Sequence, residues 1–599
     1  ASYVLSRTVI PTLARYLLRD EDTESSPTGF FSRMHHRFND GFARFRNLYA
    51  GILGTALEHR AATLLLFGIV IASSLVLLPF VGRDFFPRVD AGQIRLHVVA
   101  PAGTRIEETE RWFSRVEDEI RKIVPERDRA AILDNIGVPQ TLNLAVTESS
   151  TLSSADGEIL VNLRGDKHGS TFDYVRQLRR ELPRRFPELS FYFQPADIVS
   201  QILNFGLPAP VDVQVAGLKR DATYRAALEI QRRLAKVPGA VDVHLHQIVD
   251  APRLHVTVDR TRALEAGLTQ RDIANNILVA FSSSSVVAPN FWADPKSGIN
   301  YPVAVQMPLN RMEGMDDLTS TSLTAPGLPS PQLLRDVASV ERRVSPVVAT
   351  HSNIQPTFNV RADVQDRDLG SASKAIRRIA DDVAKTLPAG SSVTLRGQVE
   401  SMDSAFHRLG LGIIFAALLV YALMVVNFQS WSDPFIILTA LPAGLAGVVW
   451  ALFTTDTRFS VPSLMGAIMT IGVATANSIL VVSFANDLRR ERGDSMSAFA
   501  AALEAGKTRL RPVLMTAGAM ILGMLPMSLG LGDGGEQNAP LGRAVIGGLI
   551  LATVATLVLV PVVYSLIRRS APFEVAAEVE ALDTDDRVVA FRAARTGLN

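Results

Sequence analysis

The segment AATLLLFGIVIASSLVLLPFVG, residues Ala61–Gly82, contains no charged side chain in 22 residues. A helix rises about 1.5 Å per residue, so this segment is long enough to cross the roughly 30 Å hydrocarbon core of a bilayer. Six segments of this length are hard to bury in a water-soluble core, so the sequence predicts a membrane protein with six full spans. The other five lie towards the C-terminus: Leu409–Val426, Pro434–Phe453, Val461–Phe484, Pro512–Leu531 and Ala544–Ile567.

The composition of the 599 residues excludes several classes of protein. Hydrophobic residues make up 47% and charged residues 20%, which is too apolar for a disordered chain. Lys+Arg (61) and Asp+Glu (60) nearly cancel, which argues against a nucleic-acid partner. There is no cysteine, which excludes disulfides and thiolate chemistry. No GxxxxGK[ST] motif is present, which argues against ATP-driven export. We therefore expect no cofactor and no enzymatic activity.

Basic residues are concentrated in alternate loops, and this bias predicts the orientation of the spans. The stretch before the first span is rich in Arg, and so is the loop that follows Phe484, whereas Thr454–Ser460 holds Arg458 alone. The bias places both ends of the chain in the cytoplasm and residues 83–408 on the far side of the membrane. Phe38, Phe42, Phe45 and Tyr49 recur at helical spacing, which predicts an amphipathic helix on the inner membrane surface. Packing against other parts of the protein is the alternative.

Residues 83–408 repeat one pattern of strands and helices. Alternating apolar residues predict strands Gln93–Val99, Glu158–Leu163 and Ser190–Phe193, with amphipathic helices between them. We interpret this as β-α-β-β-α-β, the ferredoxin-like unit. A second unit is predicted from strands Val211–Val215, Val241–Leu245, Phe358–Val364 and Val393–Leu395. About 100 residues, 252–351, interrupt it, and they are rich in the Ser, Pro, Asn and Gly typical of an extended hairpin or loop.

Ionisable groups inside a membrane usually mark an ion pathway. The six predicted spans contain no Asp, Glu, Lys or His, so a proton-coupled machine would need a carboxylate from elsewhere. Polar groups in the spans cluster at Thr470, Thr475, Asn477 and Ser478, with Thr516 in the next span. The alternative for these side chains is ordinary interhelical hydrogen bonding. The cytoplasmic edge of the fifth span carries Arg509 and Arg511.

No metal site is expected from the sequence. His35–His36 and His244-x-His246 are the close histidine pairs, and neither has acidic or cysteine partners at ligand spacing. We therefore expect both pairs to be surface features. The methionines at 307, 312 and 315 could bind a soft metal ion, but loop packing explains them better.

Several stretches together resemble the resistance–nodulation–division (RND) transporters, and more narrowly the C-terminal half of a hydrophobe/amphiphile efflux permease of the acriflavine-resistance, AcrB-like type. The resemblance covers the chain to about Arg569. It is carried by DFFPRVDAGQIRLHVVAPAGTRIEETE (84–110), VPGAVDV (237–243), FQSWSDPF (428–435), MTIGVATANSILVVSFANDLR (469–489) and KTRLRPVLMTAGAMILGMLP (507–526).

The resemblance implies a domain plan for an α+β membrane protein with two ferredoxin-like porter units. The segments are 1–20, the end of transmembrane helix six; 21–60, a cytoplasmic amphipathic linker; 61–82, helix seven; 83–205, the first porter unit; 206–251 and 352–400, the second; 252–351, a docking insert; 401–570, helices eight to twelve; and 571–599, a cytoplasmic tail. The family's proton-carrying Asp pair belongs to helix four, in the half that this chain would lack.

The resemblance also implies functional residues. The family's proton relay uses an Arg and a Thr on helix eleven, which fall on Arg509 and Thr516. Its helix-ten Lys falls on Ala476, so Asn477, Thr475 or Arg509 would have to hold the Asp pair instead. Metal-exporting members carry a Glu in this part of helix ten, and its absence here favours organic substrates. The substrate-binding candidates are Leu142, Leu144, Val146 and Leu160, in a region where drug pumps are often aromatic.

The predicted function is therefore proton-driven export of hydrophobic or amphiphilic compounds from the periplasm or inner membrane of a bacterium. The alternatives are a metal- or lipid-exporting member of the superfamily and a non-pumping membrane scaffold. Implied partners are the missing N-terminal half, two further copies in a homotrimer, a periplasmic adaptor, an outer-membrane channel and the lipid bilayer.

Overall fold

A computed structural model of the chain describes residues 2–17, 30–137, 151–165, 168–285, 287–308, 312, 314–492, 496–532 and 534–568. The chain divides into two compact units. One contains the helices near both ends of the sequence, and the other is the inserted segment Arg88–Ser404.

Three helices precede the insert: α1 (Ser2–Leu17), α2 (Phe30–Glu58) and α3 (Arg60–Val81). The predicted amphipathic segment lies in α2, which is longer than the stripe of aromatic residues suggests. Tyr49, Leu53 and Leu57 are buried in the core of the helix bundle, whereas Phe38 and Phe45 are exposed. The C-terminal end of α2 therefore packs against the rest of the protein, as expected if the helix does not lie on the membrane surface. The aromatic residues Phe38 and Phe45, which precede this end, are exposed.

The first half of the insert is a four-stranded antiparallel sheet in the order β2-β3-β1-β4. Alternating Ile94, Leu96 and Val98 of β1 are buried with Phe113 and Ile120 of the first covering helix, as their spacing predicts. The element order is the predicted β-α-β-β-α-β. Its elements are β1 (Gln93–Val99), α4 (Ile106–Ile123), β2 (Arg129–Ile136), β3 (Asp156–Leu163), α5 (Thr171–Arg185), β4 (Ser190–Gln194) and α6 (Ile198–Leu203).

The second sheet contains the strands predicted on both sides of the interruption, so 211–245 and 355–397 share one sheet, as expected. Its order is β13-β14-β5-β15, and β6 pairs with the C-terminal part of β14. The strands and their helices are β5 (Val211–Ala216), α7 (Arg220–Leu234), β6 (Ala240–Leu245), β13 (Thr350–Ser352), β14 (Gln355–Val364), α12 (Leu369–Ala384) and β15 (Ser392–Gly397).

The interrupting segment has a small core of its own around Ile273, Leu323 and Leu334. Its two longest strands pair antiparallel, and a separate hairpin, β8 with β9, is exposed. The elements are β7 (Ala251–Val258), α8 (Arg260–Glu265), α9 (Gln270–Ser282), β8 (Asn290–Ala293), β9 (Asn300–Val303), α10 (Met315–Thr319), β10 (Ser322–Leu323), β11 (Gln332–Leu333), α11 (Leu334–Val337) and β12 (Ala338–Ser345).

The C-terminal part of the chain is helical. Its elements are α13 (Gln398–Phe428), α14 (Ser432–Leu438), α15 (Ala440–Thr454), α16 (Val461–Arg492), α17 (Ala498–Ser528), α18 (Ala539–Val554), a π-helical turn (Ala555–Leu559) and α19 (Val560–Ile567). Within the described ranges, six helical segments are long and apolar enough to cross a membrane, by length and composition: Arg60–Val81, Gln398–Phe428, Ser432–Thr454, Val461–Arg492, Ala498–Ser528 and Ala539–Ile567. The six predicted spans are thus confirmed as helices.

Helices α15 and α18 meet along a glycine seam, which we define as Gly447 and Gly547. A Cβ atom on Gly547 would lie 2.1 Å from the Cβ of Ala451, and one on Gly447 would lie 2.4 Å from the carbonyl oxygen of Gly547. Small residues at such contacts let two backbones approach closely in a membrane bundle.

Candidate functional site

Three of the polar side chains predicted in the spans, Asn477, Ser478 and Thr516, take part in two separate hydrogen-bonded pairs between helices. Thr516 of α17 donates from Oγ1 to Oδ1 of Asn477 on α16, at 2.7 Å. One turn of π-helix brings Thr556 to Ser478, with 2.9 Å between their hydroxyl oxygens. Asn477 and Ser478 are buried, at 3% and 0% exposure. Because Oδ1 of Asn477 already accepts the hydrogen bond from Thr516, Asn477 can bind a further acceptor through its amide N–H groups.

Thr475 does not join either pair. Its Oγ1 donates to the backbone carbonyl of Ile471 at 2.8 Å, within its own helix. Thr470 bonds Gly466 in the same way. Such bonds satisfy a hydroxyl without involving a neighbouring helix. Of the polar candidates on α16 named in the sequence, Asn477 is therefore the one that reaches α17.

Arg509 lies on the same side of α17 as Thr516, since both contact α16. Its guanidinium carbon is 4.5 Å from the centroid of the Phe484 ring, a cation–π contact. Asn477 and Phe484 are seven residues apart on α16, and Arg509 and Thr516 are seven residues apart on α17. The two antiparallel helices therefore contact each other at two positions about two turns apart, Asn477 with Thr516 and Phe484 with Arg509. The Nε of Arg509 is buried, with no hydrogen-bond partner among the described residues.

Asp433 is a buried carboxylate that the sequence interpretation missed. The span that contains it begins at Ser432, two residues before the predicted apolar segment, so the prediction of spans without an acid is wrong at this position. Arg568 donates from Nε to Asp433 Oδ1 at 2.8 Å, and Asn486 donates to Oδ2 at 2.9 Å. Tyr564 in turn donates to Asn486 at 2.8 Å. The signal was present in FQSWSDPF, where a charge adjoins an apolar segment.

Arg568 and Asp433 form an ion pair, and with Asn486 this network ties α14, α16 and the end of α19 together. Neither member of the Asn477–Thr516 pair titrates in water, so that pair can respond to a charge but cannot carry one.

The substrate-binding candidates are only partly within the described residues. Leu142, Leu144 and Val146 lie outside them. Leu160 is half-buried on β3, opposite Arg95 of β1 and Leu133 of the edge strand β2. In the helical unit, an apolar groove of about 480 Å³ lies between α13, α14, α15 and α16, and its lining includes Ile414, Tyr421 and Leu441.

Metal ligands do not converge in the described part of the chain, where no group of three or more His, Cys, Asp or Glu side chains could hold an ion. The expectation for His244-x-His246 is nevertheless wrong, because His246 is buried at 7% exposure. Alternation along β6 places both imidazoles on the side of the sheet away from its helices, and the first sheet approaches that side through β4.

Comparison with known proteins gives one consistent result. A family model described as the AcrB/AcrD/AcrF family matches residues 1–568. The cobalt-zinc-cadmium resistance protein CzcA of Cupriavidus metallidurans is 27% identical over 538 residues, covering 87% of this chain and 48% of that protein. The nickel-cobalt-cadmium resistance protein NccA of Alcaligenes xylosoxydans xylosoxydans is 26% identical, covering 95% and 51%.

Solved structures agree with these sequence matches. A crystal structure of a heavy metal efflux pump, crystal form II, has a TM-score of 0.72 at 25% identity and covers 88% of this chain and 52% of that one. The chain therefore spans about half the length of the curated relatives it matches.

Proposed function

Because the chain belongs to the AcrB/AcrD/AcrF family of RND efflux permeases, we propose that it is part of a bacterial inner-membrane permease that exports transition-metal cations by proton antiport. In this proposal residues 83–408 lie in the periplasm and the chain catalyses no chemical reaction. The observation that carries the choice of cargo is the similarity to metal-resistance proteins, which extends over both the spans and the insert. This reverses the preference for organic compounds that the missing helix-ten Glu suggested.

A closed metal site is not needed for this function. A transported ion must leave as readily as it enters, so its ligands need to bind it only weakly and in sequence. The lack of a three-ligand cluster in the described ranges is thus compatible with metal transport. The missing helix-ten Glu concerns one position in the spans and does not constrain where a cation enters the periplasmic unit.

We propose that the Asn477–Thr516 pair senses the protonation state of a carboxylate supplied by the remainder of the permease. The 2.7 Å bond joins two long helices at a buried position, so a change in the charge that Asn477 faces would be felt by both. Arg509 would respond at the cytoplasmic end of the same contact. Thr475 has a weaker claim, because its hydroxyl is already satisfied within α16.

Permeases of this family generally assemble as trimers with a periplasmic adaptor and an outer-membrane channel, and we propose the same assembly here. In this proposal the rest of the permease supplies the spans that the chain does not contain.

A second candidate is export of hydrophobic compounds, which is favoured by the apolar groove of about 480 Å³. Its lining is well suited to an acyl chain or an amphiphile and offers nothing to a hydrated cation. Lipid itself can also fill such a groove, so the groove supports this candidate less strongly than the relatives support metal export.

The test uses the complete permease that contains this chain, expressed in a bacterium whose own envelope exporters are deleted. Tolerance and cell-associated content are measured for zinc, cobalt, nickel and cadmium, and for cationic and anionic amphiphilic dyes. We expect raised tolerance and lower content for at least one metal, with both effects lost in Asn477→Ala. Protection against dyes alone would favour the second candidate, and protection against neither would contradict both.

A further inference from the structure

The two sheets of the inserted unit meet where β4 approaches β6, and three aromatic rings are stacked there. His97 of β1 and Tyr192 of β4 lie with their centroids 4.5 Å apart and their planes at 17°. Tyr192 and His244 of β6 are 3.8 Å apart at 13°. His97 and Tyr192 belong to the first sheet and His244 to the second. We call these three residues the ring stack.

An ion pair lies beside the ring stack and also joins the two sheets. Arg179 of α5 donates from Nε to Asp242 at 2.9 Å, and its Nη2 lies 3.6 Å from Asp363 of β14. The backbone N–H of Phe193 on β4 donates to Asp242 at 3.1 Å. Asp242 has a φ of 55°, in the left-handed region that non-glycine residues avoid. The backbone at this contact is therefore shaped to present Asp242 to the other sheet.

His244 and His246 are held uncharged at this contact. The Nδ1 of His244 lies 2.8 Å from the carbonyl oxygen of Asp242, so it carries the proton, and its buried Nε2 has no hydrogen-bond partner among the described residues. Arg361 approaches Nδ1 of His246 at 3.1 Å. Since a guanidinium can only donate, His246 must accept and cannot carry a proton on that nitrogen.

We propose that the ring stack and His246 form a proton-operated joint, which holds the two sheets together near neutral pH and lets β4 separate from β6 when the surrounding pH falls. This inference goes beyond the proposed function, because it does not depend on which compound is exported.

The direction of the effect follows from the pKa values of the closed joint. Burial, followed by the charge of Arg361, lowers the pKa of His244 to about 3. Burial and Arg361 also lower the pKa of His246 well below its usual value. In an opened joint both would return to about 6.5. The closed form thus binds fewer protons, so its stability is complete above pH about 6.5 and is lost as the pH falls below that value.

Neighbouring charges do not reverse this direction. Asp156 and Glu158 lie 3.4 Å and 3.8 Å from the ring nitrogens of His97, and Glu158 is also paired with Arg95. Asp242 and Asp363 are engaged by Arg179. The charged and titratable groups around the joint are Arg95, His97, Asp156, Glu158, Arg179, Tyr192, Asp242, His244, His246, Arg361 and Asp363.

The closed and open pKa values of His244 set how strongly the opening equilibrium of the joint changes with pH. For one histidine with a pKa of about 3 closed and 6.5 open, the opening equilibrium rises about 25-fold between pH 7 and pH 5. The lowered pKa of His246 adds a further rise in the same direction.

The test is hydrogen–deuterium exchange of the full chain at pH 7 and pH 5, corrected for intrinsic exchange. The reporters are peptides covering β4 and β6, where the Phe193 amide bonds Asp242 across the joint. A peptide covering β3, within the first sheet, is the internal control. We expect protection in β4 and β6 to fall by at least about 25-fold at pH 5, while β3 changes by less than a factor of about 3. Equal loss in β3 means that the sheet unfolds as a whole and overturns the proposal.

Variants separate titration from packing. His244→Phe keeps a stacking ring and removes the titrating group, and His246→Gln keeps an acceptor for Arg361. Each should reduce the response, and the two together should abolish it. His255→Phe, on an exposed histidine of β7, is the matched control and should retain the full response. A wild-type response below 3-fold, or a full response in the double variant, would overturn the proposal.

Discussion

Asp433→Asn should destabilise the helical unit strongly, although it replaces only one carboxylate oxygen by an NH2 group. Asp433 is 2% exposed and accepts from both Arg568 and Asn486. Asparagine keeps an acceptor but removes the charge that balances Arg568, and breaking one side of a buried ion pair costs about 3–5 kcal/mol. Because the amide still satisfies part of the network, we expect a loss near the lower end, about 3 kcal/mol.

The assay is reversible unfolding of the full chain by SDS in mixed micelles, applied to Asp433→Asn, Arg568→Met and the double variant. We expect the double variant to cost about 2 kcal/mol less than the sum of the two single variants, because removing both charged side chains leaves no unpaired buried charge. Arg490→Met, at an exposed position on α16, is the control and should stay within about 0.5 kcal/mol of wild type. Additivity within about 0.5 kcal/mol would refute the view that Asp433 and Arg568 act as one buried pair.

Three further outcomes can be checked. In the complete permease, Thr516→Val and Arg509→Ala should lower export severalfold with membrane levels unchanged, and Asn477→Ala should lower it further; wild-type export rates in all three would remove the coupling role. Gly547→Ala should destabilise the bundle by about 1–3 kcal/mol because its Cβ meets Ala451 at 2.1 Å, whereas Gly518→Ala, with open space around it, should be neutral or stabilising by up to about 1 kcal/mol in thermal unfolding. The chain by itself, reconstituted in liposomes with a pH gradient, should move neither protons nor metal; gradient-driven uptake would contradict the need for an external carboxylate.

Local patterns in the sequence predict much of the fold. Apolar length located the spans, and period-two alternation located the central strands of both sheets, because those residues are buried on one face by their own helices. The edge strand β2 was missed, since half of its residues are exposed and its alternation is correspondingly weak. The repeat of the first unit predicts that 211–245 and 355–396 share one sheet, as they do.

The site was harder to foresee, because it depends on distant contacts. Nothing in GVATAN distinguishes Asn477, which reaches Thr516, from Thr475, which bonds its own helix. The lack of acidic or cysteine partners at ligand spacing predicts surface histidines at 244 and 246, but Tyr192 of the other sheet stacks on His244 and Arg361 approaches His246. Asp433 was overlooked because it lies just before the apolar segment, whereas its partner Arg568 lies 135 residues further along the chain.

The glycine seam limits which helices can move during a transport cycle. With backbone facing backbone at Gly447 and Gly547, a shift of α18 by one turn would bring larger side chains such as Leu551 into a gap that does not admit a single methyl group. We therefore expect helices α15 and α18 to keep a fixed position relative to each other. Helix α16 is also packed closely on α18, since a Cβ atom on Gly466 would lie 2.8 Å from the carbonyl oxygen of Leu541, so a displacement within the membrane has to be taken up by the other neighbouring helices.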